Sequence, residues 1–405
     1  MIVGDDVAAR IDDESGAESF VFTSAAVVQE PPTSPPGIAE ILRPHRIAIG
    51  LYNRTERGLE RVRRIEVDVV GAHTEVPELV GVVQPDLLLL NDDDLSFGKI
   101  RLDDRSLRTA IESMATLDGS LPRALIWAAA WDMVRDAEMP LGDLIALVES
   151  ALPTETDINV MTTLLGQIRT AIEVYSGVGK REGYRDRWAA LSLRLMTAAE
   201  PSSDLQLAFA RAYAGACRTP EQAAVVRSWL SGDAPDGLSI DTDLRWTLLQ
   251  RLVALGQADP AEIDTELARD DTATGRRQAA TARAAIPTME AKEAAFAATV
   301  ESDDLPNSLL VATVTGFAQS DQRELGRAFI DRYFAALPEV WTTRTNETAQ
   351  TIVLGLYPSA LVEPATLEVT DRFLERDDVP AGARRLVNEG RDGVERALRC
   401  QARDS

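Results

Sequence analysis

The sequence of 405 residues contains only two histidines, His45 and His73. Catalytic zinc is usually held by three protein ligands, and the helical H-E-x-x-H pattern supplies two of them from one face with a glutamate between. Neither histidine begins such a pattern: His45 stands in "LRPHRIAIG" and His73 in "GAHTEVPE". We therefore interpret both as structural or exposed residues, and predict no metal ligand and no cofactor-binding residue in this chain.

Cysteine is equally scarce, with Cys217 and Cys400 far apart in the sequence. Two distant thiols make a poor disulfide framework, which favours a reducing, cytoplasmic location. No apolar run approaches the roughly 18 residues of a membrane span, and the acidic start lacks the basic and apolar regions of a signal peptide. Cys217 lies in "AFARAYAGACR", a pattern typical of a small buried helix residue rather than a nucleophile.

Basic residues are outnumbered, 42 against 65 acidic ones, which gives a net charge of −23. A field of this sign repels a phosphate backbone, so we expect no nucleic-acid partner. The 45% share of apolar residues is that of a globular protein with a sizeable core.

The first quarter of the chain has the alternating apolar pattern of strands. Residues 1–16 are predicted to be a polar tail, and residues 17–103 a small β-sandwich. Within it, "QEPPTSPPG" (29–37) is a proline-rich connector, and "TEVPELVGVV" adds further strands. The main predicted strands are Phe20–Val28, a hairpin spanning Ile47–Val69, Leu87–Leu90, and Ser96–Leu102 after an acidic turn.

From residue 104 the apolar period changes to about 3.6, as in Leu107, Ile111 and Met114. Thr219-Pro220 and Asp259-Pro260 each open a helix with a capping residue followed by proline. These two prolines are about 40 residues apart, the spacing of HEAT-like repeats. We predict a mainly α protein in which residues 104–405 form a HEAT-like α-solenoid of antiparallel helix pairs.

Motif by motif, no catalytic residue emerges. The run Asn91–Asp94 lacks the spaced ligands of a calcium loop and is interpreted as an acidic turn. "SGVGKREG" (176–183) departs twice from the phosphate-loop pattern and is interpreted as a turn between helices. The arginines from Arg54 to Arg64 alternate with glutamates, as on a solvated face; a carboxylate-docking patch is the alternative.

An ordered set of segments resembles a known family. "PDLLLLNDDDLSFGKIRLD" resembles the end of the β-sandwich in aminopeptidase N-type zinc metallopeptidases, with Leu89-Leu90-Asn91, Phe97-Gly98 and Arg101 in matching places, although the frequent tyrosine pair is absent. "LRPHRIAIGLYN", "RALIWAAAWDMVRDAEMP", "SDLQLAFARAYA" and "DQRELGRAFIDRYFAALPEVW" extend the resemblance, in order, over about residues 18–403. It covers the C-terminal half of the actinobacterial group of that family.

The resemblance implies a non-catalytic cap that encloses an active-site chamber and gates peptide access. Its zinc, H-E-x-x-H helix and G-x-M-E-N strand would belong to an N-terminal catalytic half absent here, so we expect no activity from the chain alone. The implied partners are that catalytic half and peptides with free N-termini. The alternative is a free-standing HEAT-like adaptor derived from the same fold; a new active site is a third hypothesis, which no group of residues supports.

Overall fold

A computed structural model describes residues 2–11, 18–31 and 41–405. Within it the chain forms two compact units, Met1–Gln167 and Ile168–Ser405. Most of the predicted proline-rich connector lies outside the described residues. The first unit contains the β module and also the first helices, so it extends beyond the change from strands to helices near residue 103.

The β module consists of two three-stranded antiparallel sheets in the described part of the chain. Their strand orders are β1-β2-β5 and β4-β3-β6. The strands are β1 (Ile2–Ile11), β2 (Glu18–Val28), β3 (His45–Thr55), β4 (Gly58–Val69), β5 (His73–Glu75) and β6 (Leu87–Asp92).

The predicted hairpin is confirmed as β3 and β4. Ile47 lies opposite Val67 and Ile49 opposite Ile65, so the apolar alternation of both strands falls on the same buried face. Gly58 begins β4 at φ +123°, and a Cβ there would stand 2.6 Å from the carbonyl oxygen of Thr116. Glycine is therefore required both by the backbone conformation and by the close approach.

Three predictions for the β module are wrong in detail. Residues 2–11 form strand β1 rather than a tail, because their backbone pairs along β2. Residues 96–102 do not form a strand; their backbone is held by side chains instead, as when the Leu102 N–H donates to Met133 Sδ at 3.4 Å. "TEVPELVGVV" supplies only the short β5 and a 3₁₀ turn, Pro77–Leu79, whose proline begins the turn.

Strand β6 is buried along its whole length, as its four consecutive leucines predict. It contacts the first two helices, and the Leu88 N–H donates to Ser106 Oγ at 2.8 Å. Helices of the first unit follow directly: α1 (Asp104–Ser113), α2 (Ser120–Arg135), α3 (Leu141–Ala151) and α4 (Ile158–Thr170), of which the last three residues belong to the second unit.

The second unit is helical in all its regular structure. A π-helical turn, Ala171–Tyr175, continues α4. The helices that follow are α5 (Arg181–Ala198), α6 (Asp204–Ala216), α7 (Pro220–Leu230), α8 (Thr242–Ala254), α9 (Pro260–Arg269), α10 (Ala273–Ala284), α11 (Met289–Phe296), α12 (Asn307–Phe317), α13 (Arg323–Arg327), α14 (Ile330–Thr343), α15 (Asn346–Gly355), α16 (Pro364–Leu374) and α17 (Ala381–Asp404).

Both predicted capping residues do what the sequence indicated. Thr219 and Gln222 exchange hydrogen bonds between side chain and backbone, as do Asp259 and Glu262, so each pair forms a capping box. Proline follows the cap at the first position of α7 and α9. These local signals fix where the helices begin.

The helices of the second unit stack in a row. Helix α6 contacts α8, α8 contacts α10, α10 contacts α12, α12 contacts α15, and α15 contacts α17, while α7, α9, α11, α14 and α16 each pair with a member of this row. This is the packing of stacked helix pairs that the sequence predicted. The structure thus confirms a small β module and a mainly helical remainder.

The last helix returns to the beginning of the second unit. Asp404, 1% exposed, accepts hydrogen bonds from the Gly177 N–H at 2.9 Å and the Tyr184 hydroxyl at 3.0 Å. Gln401 donates to the carbonyl oxygen of Val174 at 2.8 Å. These bonds join residues more than 200 positions apart and attach α17 to the π-helical turn and to α5.

Candidate functional site

The two histidines lie on different sheets. His45 is the first residue of β3, and His73 is the first residue of β5, where its Nε2 lies 2.7 Å from the Glu75 carboxylate. In the described residues, no group of three or more histidine, cysteine, aspartate or glutamate side chains could hold a metal ion.

The acidic run is a turn built by hydrogen bonds. Asp92 is fully buried and accepts from the Tyr52 hydroxyl at 3.0 Å and from Arg61 at 2.8 Å. Asn91 and Asp94 have positive φ, which suits asparagine and aspartate in a tight turn. Burial, reinforced by the charge of Asp92, raises the pKa of Tyr52 well above its usual value, so the tyrosine stays a hydrogen-bond donor.

The arginine-rich hairpin is engaged within the chain. Arg61 and Arg64 both bind Asp93, at 2.8 and 2.6 Å, and Arg54 binds Glu112. Arg57 pairs with Glu60 at 3.0 Å. These guanidinium groups already have carboxylate partners, which supports the interpretation of a solvated face rather than a patch that docks an outside carboxylate.

Neither cysteine is placed for chemistry. Cys217 follows α6 and Cys400 lies in α17, and both are buried free thiols. Burial raises the pKa of Cys217 to about 11, so the nucleophilic thiolate is not formed at neutral pH. The "SGVGKREG" segment connects the π-helical turn to α5, as predicted for a turn between helices.

The interior of the second unit contains a cluster of charged side chains that the sequence did not indicate. Two carboxylates, Glu173 in the π-helical turn and Asp321 before α13, are 12% and 13% exposed. Four arginines surround them: Arg185, Arg218, Arg251 and Arg323. We call these six residues the ion cluster.

Glu173 is the centre of the ion cluster. It accepts from Arg185 Nε at 3.0 Å and from Arg218 Nη2 at 2.6 Å, and Arg323 Nη2 lies 3.3 Å away. Burial alone would raise the pKa of Glu173, but the hydrogen bonds from Arg185 and the charges of Arg218, Arg185 and Arg323 lower it to about 2. The carboxylate is therefore ionised throughout the physiological range.

Asp321 joins the other side of the ion cluster. Arg251 Nη1 lies 2.7 Å from its carboxylate, and Arg218 is in direct contact with it. Arg251 also donates through Nε to the carbonyl oxygen of Cys217 at 2.8 Å. The ion cluster thus connects the π-helical turn, α5, the junction of α6 and α7, α8 and the start of α13.

Lys292 is another buried ionisable residue of this unit, with 1% exposure. Its Nζ donates to the carbonyl oxygens of Ala284 at 2.7 Å and Phe317 at 3.0 Å, at the ends of α10 and α12. Carbonyl groups at helix ends have no partner within the helix and attract cations. Burial lowers the pKa of Lys292 to about 7.

Only a weak sequence signal marks these buried charges. Arg251 interrupts the apolar stretch "TLLQRLVALG", where an inward position carries a charge, and Lys292 lies within "AKEAAFAA". Glu173 and Asp321 have no such context. The charges of the ion cluster pair with one another, and Lys292 binds backbone carbonyl oxygens. Both arrangements suit holding helices together rather than bond cleavage.

Comparison with known proteins gives the family. The ERAP1-like C-terminal domain family matches residues 87–396. The chain belongs to this ERAP1-like family. It is also 49% identical over 389 residues to the aminopeptidase N of Streptomyces lividans, an alignment covering 95% of this chain and 45% of that protein. The chain therefore corresponds to a part of an aminopeptidase N, and the resemblance seen in the sequence is confirmed.

The match gives the elements described above a place in the family. It begins at Leu87, the first residue of β6, and extends into α17. The ion cluster and Lys292 therefore lie within the ERAP1-like domain. Among the residues that the structure describes, inside and outside this domain, no helix is long and apolar enough to cross a bilayer.

Proposed function

We propose that this chain is the C-terminal, non-catalytic portion of a zinc-dependent aminopeptidase, an enzyme that removes N-terminal residues from peptides in the cytoplasm. The observation that carries the proposal is its 49% identity to an aminopeptidase N of which it spans less than half. Zinc, the general base and the group that binds the peptide amine would then belong to the portion outside this chain.

Within the enzyme, the helical unit acts as a cap that encloses the chamber and gates peptide access. A cap that opens and closes must move as a rigid body, because a loosely packed row of helices would bend instead of transmitting the motion. The ion cluster and the hydrogen bonds from α17 to the start of the unit hold the helices together as one rigid body. The net charge of −23 would also attract the amino group of an incoming peptide.

The test is hydrolysis of alanyl- and leucyl-aminocoumarin by the purified chain, with zinc quantified on the same sample. We expect no bound zinc and no turnover. The remaining portion of the Streptomyces lividans enzyme is then added, and turnover of a longer peptide is compared with that of the aminocoumarins. A cap predicts that adding this chain changes peptide turnover more than it changes turnover of the small substrates.

Two outcomes would contradict the proposal. Stoichiometric zinc with turnover abolished by a chelator would make the chain an enzyme by itself. A chain that neither binds the remaining portion nor alters its turnover would instead favour the free-standing adaptor, for which the stacked helices offer an extended surface.

A further inference from the structure

Exposed apolar side chains are concentrated in the β module. Of the fourteen large apolar residues exposed in the described part of the chain, eight lie between residues 20 and 97. Single exposed apolar residues are common on protein surfaces, whereas a contiguous group of them indicates an interaction surface. The β module, rather than the helical unit, therefore has most of the exposed apolar side chains that a docking surface requires.

Phe97 is the extreme case, because its side chain is fully exposed. The loop that carries it is nevertheless well held. Asn91, itself 2% exposed, donates to the carbonyl oxygen of Ser96 at 2.6 Å and accepts from the Ser96 N–H at 3.0 Å. Ser96 Oγ donates to the carbonyl oxygen of Arg46 at 2.7 Å. A fixed loop thus presents an aromatic ring to the outside.

A ring presented in this way has the properties of a binding anchor. Aromatic residues dominate the energetics of protein interfaces, and an anchor fixed before binding loses little conformational entropy on association. Exposing a phenylalanine ring to water does not stabilise an isolated domain, because apolar surface is more favourable when buried. The exposure of Phe97 is therefore understandable if another surface covers it.

Three more exposed apolar residues lie, along the chain, within four residues of the strand ends at this edge of the β4-β3-β6 sheet. Val70, 64% exposed, directly follows Val69, which pairs with the first residue of β3. Ile41, 63% exposed, precedes β3 by four residues, and Leu95, 45% exposed, lies in the loop of Phe97. We call Ile41, Val70, Leu95 and Phe97 the Phe97 patch.

Two cations next to this patch have carboxylate partners within the chain. Arg46 binds Glu66 at 2.6 Å and Asp68 at 2.8 Å, and Lys99 binds Asp136 at 2.6 Å. A partner therefore meets an exposed aromatic ring with paired charges beside it, as expected where an apolar anchor adjoins the polar rim of a protein–protein interface. The complementary surface is an apolar pocket on a protein, rather than an anionic or cationic ligand.

We propose that the Phe97 patch is the surface through which this chain docks the rest of the aminopeptidase, with Phe97 entering an apolar pocket there. The inference rests on the proposed function. More than half of the Streptomyces lividans relative lies outside the match, so that enzyme contains a large protein portion that could contact the patch. A patch confined to the β module gives that surface a defined place to bind.

The test measures burial of position 97 directly. Phe97→Cys is labelled with a maleimide in this chain alone and in a polypeptide that joins the missing portion of the Streptomyces lividans enzyme to it. Cys217 and Cys400 are buried, so background labelling is slow. Val178→Cys, at a site 75% exposed on the second unit, is the matched control. Aminopeptidase turnover is measured on the same joined samples.

We expect joining to slow labelling of Cys at position 97 by about tenfold or more, and to change labelling at position 178 by less than about threefold. A joined polypeptide with turnover but unprotected position 97 overturns the docking surface and leaves the proposed function standing. A joined polypeptide without turnover or protection contradicts the proposed function itself. Protection in the chain alone that disappears on dilution would mean that a second copy covers the patch, which also overturns the proposal.

A second variant tests the energetics. Phe97→Asp should leave the circular dichroism and melting temperature of the chain unchanged, because the ring is fully exposed. Its affinity for the separately added portion should fall by roughly 30-fold or more, as expected for an interface hot spot. Val178→Asp should bind like the parent. Equal affinity of the Phe97→Asp variant and the parent would refute the role of this ring.

Discussion

Glu173→Gln tests whether the ion cluster holds the helical unit together. The substitution keeps the size of the side chain and removes its charge, which leaves Arg185, Arg218 and Arg323 in a largely buried site with one carboxylate fewer. Removing one partner of a buried ion pair costs about 3–5 kcal/mol. The structure supports the lower end, because the remaining carboxylate, Asp321, still contacts Arg218 and Arg251.

The pKa of Glu173 gives an independent magnitude. It is lowered from 4.5 to about 2, and each unit corresponds to about 1.4 kcal/mol, so the folded environment favours the charged form by roughly 3 kcal/mol. Because the folded pKa is depressed, this stability is fully present above pH 4.5 and is lost as the pH falls towards 2. Glu173→Gln should therefore be less stable at pH 7 and lose less stability on acidification.

The assay is urea unfolding followed by tryptophan fluorescence at pH 7 and at several values down to pH 3. Glu182→Gln is the matched control, because Glu182 also pairs with Arg185 but is 74% exposed. Its loss should stay below about 0.5 kcal/mol, as for other exposed pairs. If Glu173→Gln is as stable as Glu182→Gln, or shows the acid dependence of the parent, the cluster does not stabilise the unit as argued.

Three further predictions concern single contacts. Lys292→Met should destabilise the chain by about 2–4 kcal/mol, because it leaves buried carbonyl oxygens of α10 and α12 unsatisfied. The pKa of Lys292 is about 7 in the folded chain, against 10.5 for an unperturbed lysine, so between these pH values the unfolded chain binds the extra proton. The parent should therefore become more stable as the pH rises from 7 to 10.5, whereas Lys292→Met should not, and urea midpoints would show the difference. Gly50→Ala should lower the free energy of unfolding by about 2 kcal/mol or more, because its Cβ would stand 2.2 Å from an Asp92 carboxylate oxygen. As a control, Gly393→Ala in α17 has open space around it and should raise the free energy of unfolding by up to about 1 kcal/mol. Equal melting temperatures of the two variants would contradict this. Thr219→Ala should cost about 1 kcal/mol through loss of the capping box, and an unchanged urea midpoint would show that the cap is dispensable.

Much of the local structure could be predicted from the sequence. The β3–β4 hairpin follows from two alternating runs, the burial of β6 from four consecutive leucines, and the starts of α7 and α9 from Thr219 and Asp259. In each case the structure is decided by contacts between residues close in the chain, or by apolar residues that recur with the period of the strand or helix. The ordered segments of the ERAP1-like domain were recognisable for the same reason, since they are written in consecutive residues.

Failures occurred where long-range contacts decide. Residues 96–102 alternate like a strand, yet Lys99 and Arg101 bind Asp136 near the end of α2, 37 and 35 positions away, and the backbone does not join the sheet. Residues 2–11 are polar enough to suggest a tail, but pairing along β2 makes them a strand. Local propensity is a weak guide when a neighbouring strand or helix offers the partners.

The sequence by itself determined that a β module precedes stacked helices, where several helices start, and which family the chain resembles. It could not determine the ion cluster, because Glu173 and Asp321 are about 150 residues apart and meet only when α5, α8 and α13 pack together. Nor could it distinguish buried Lys292 from the exposed charges around it, or show that Phe97 points outward. Periodicity and capping act over three or four residues, whereas the burial of a charge or an aromatic ring depends on which distant elements come to surround it.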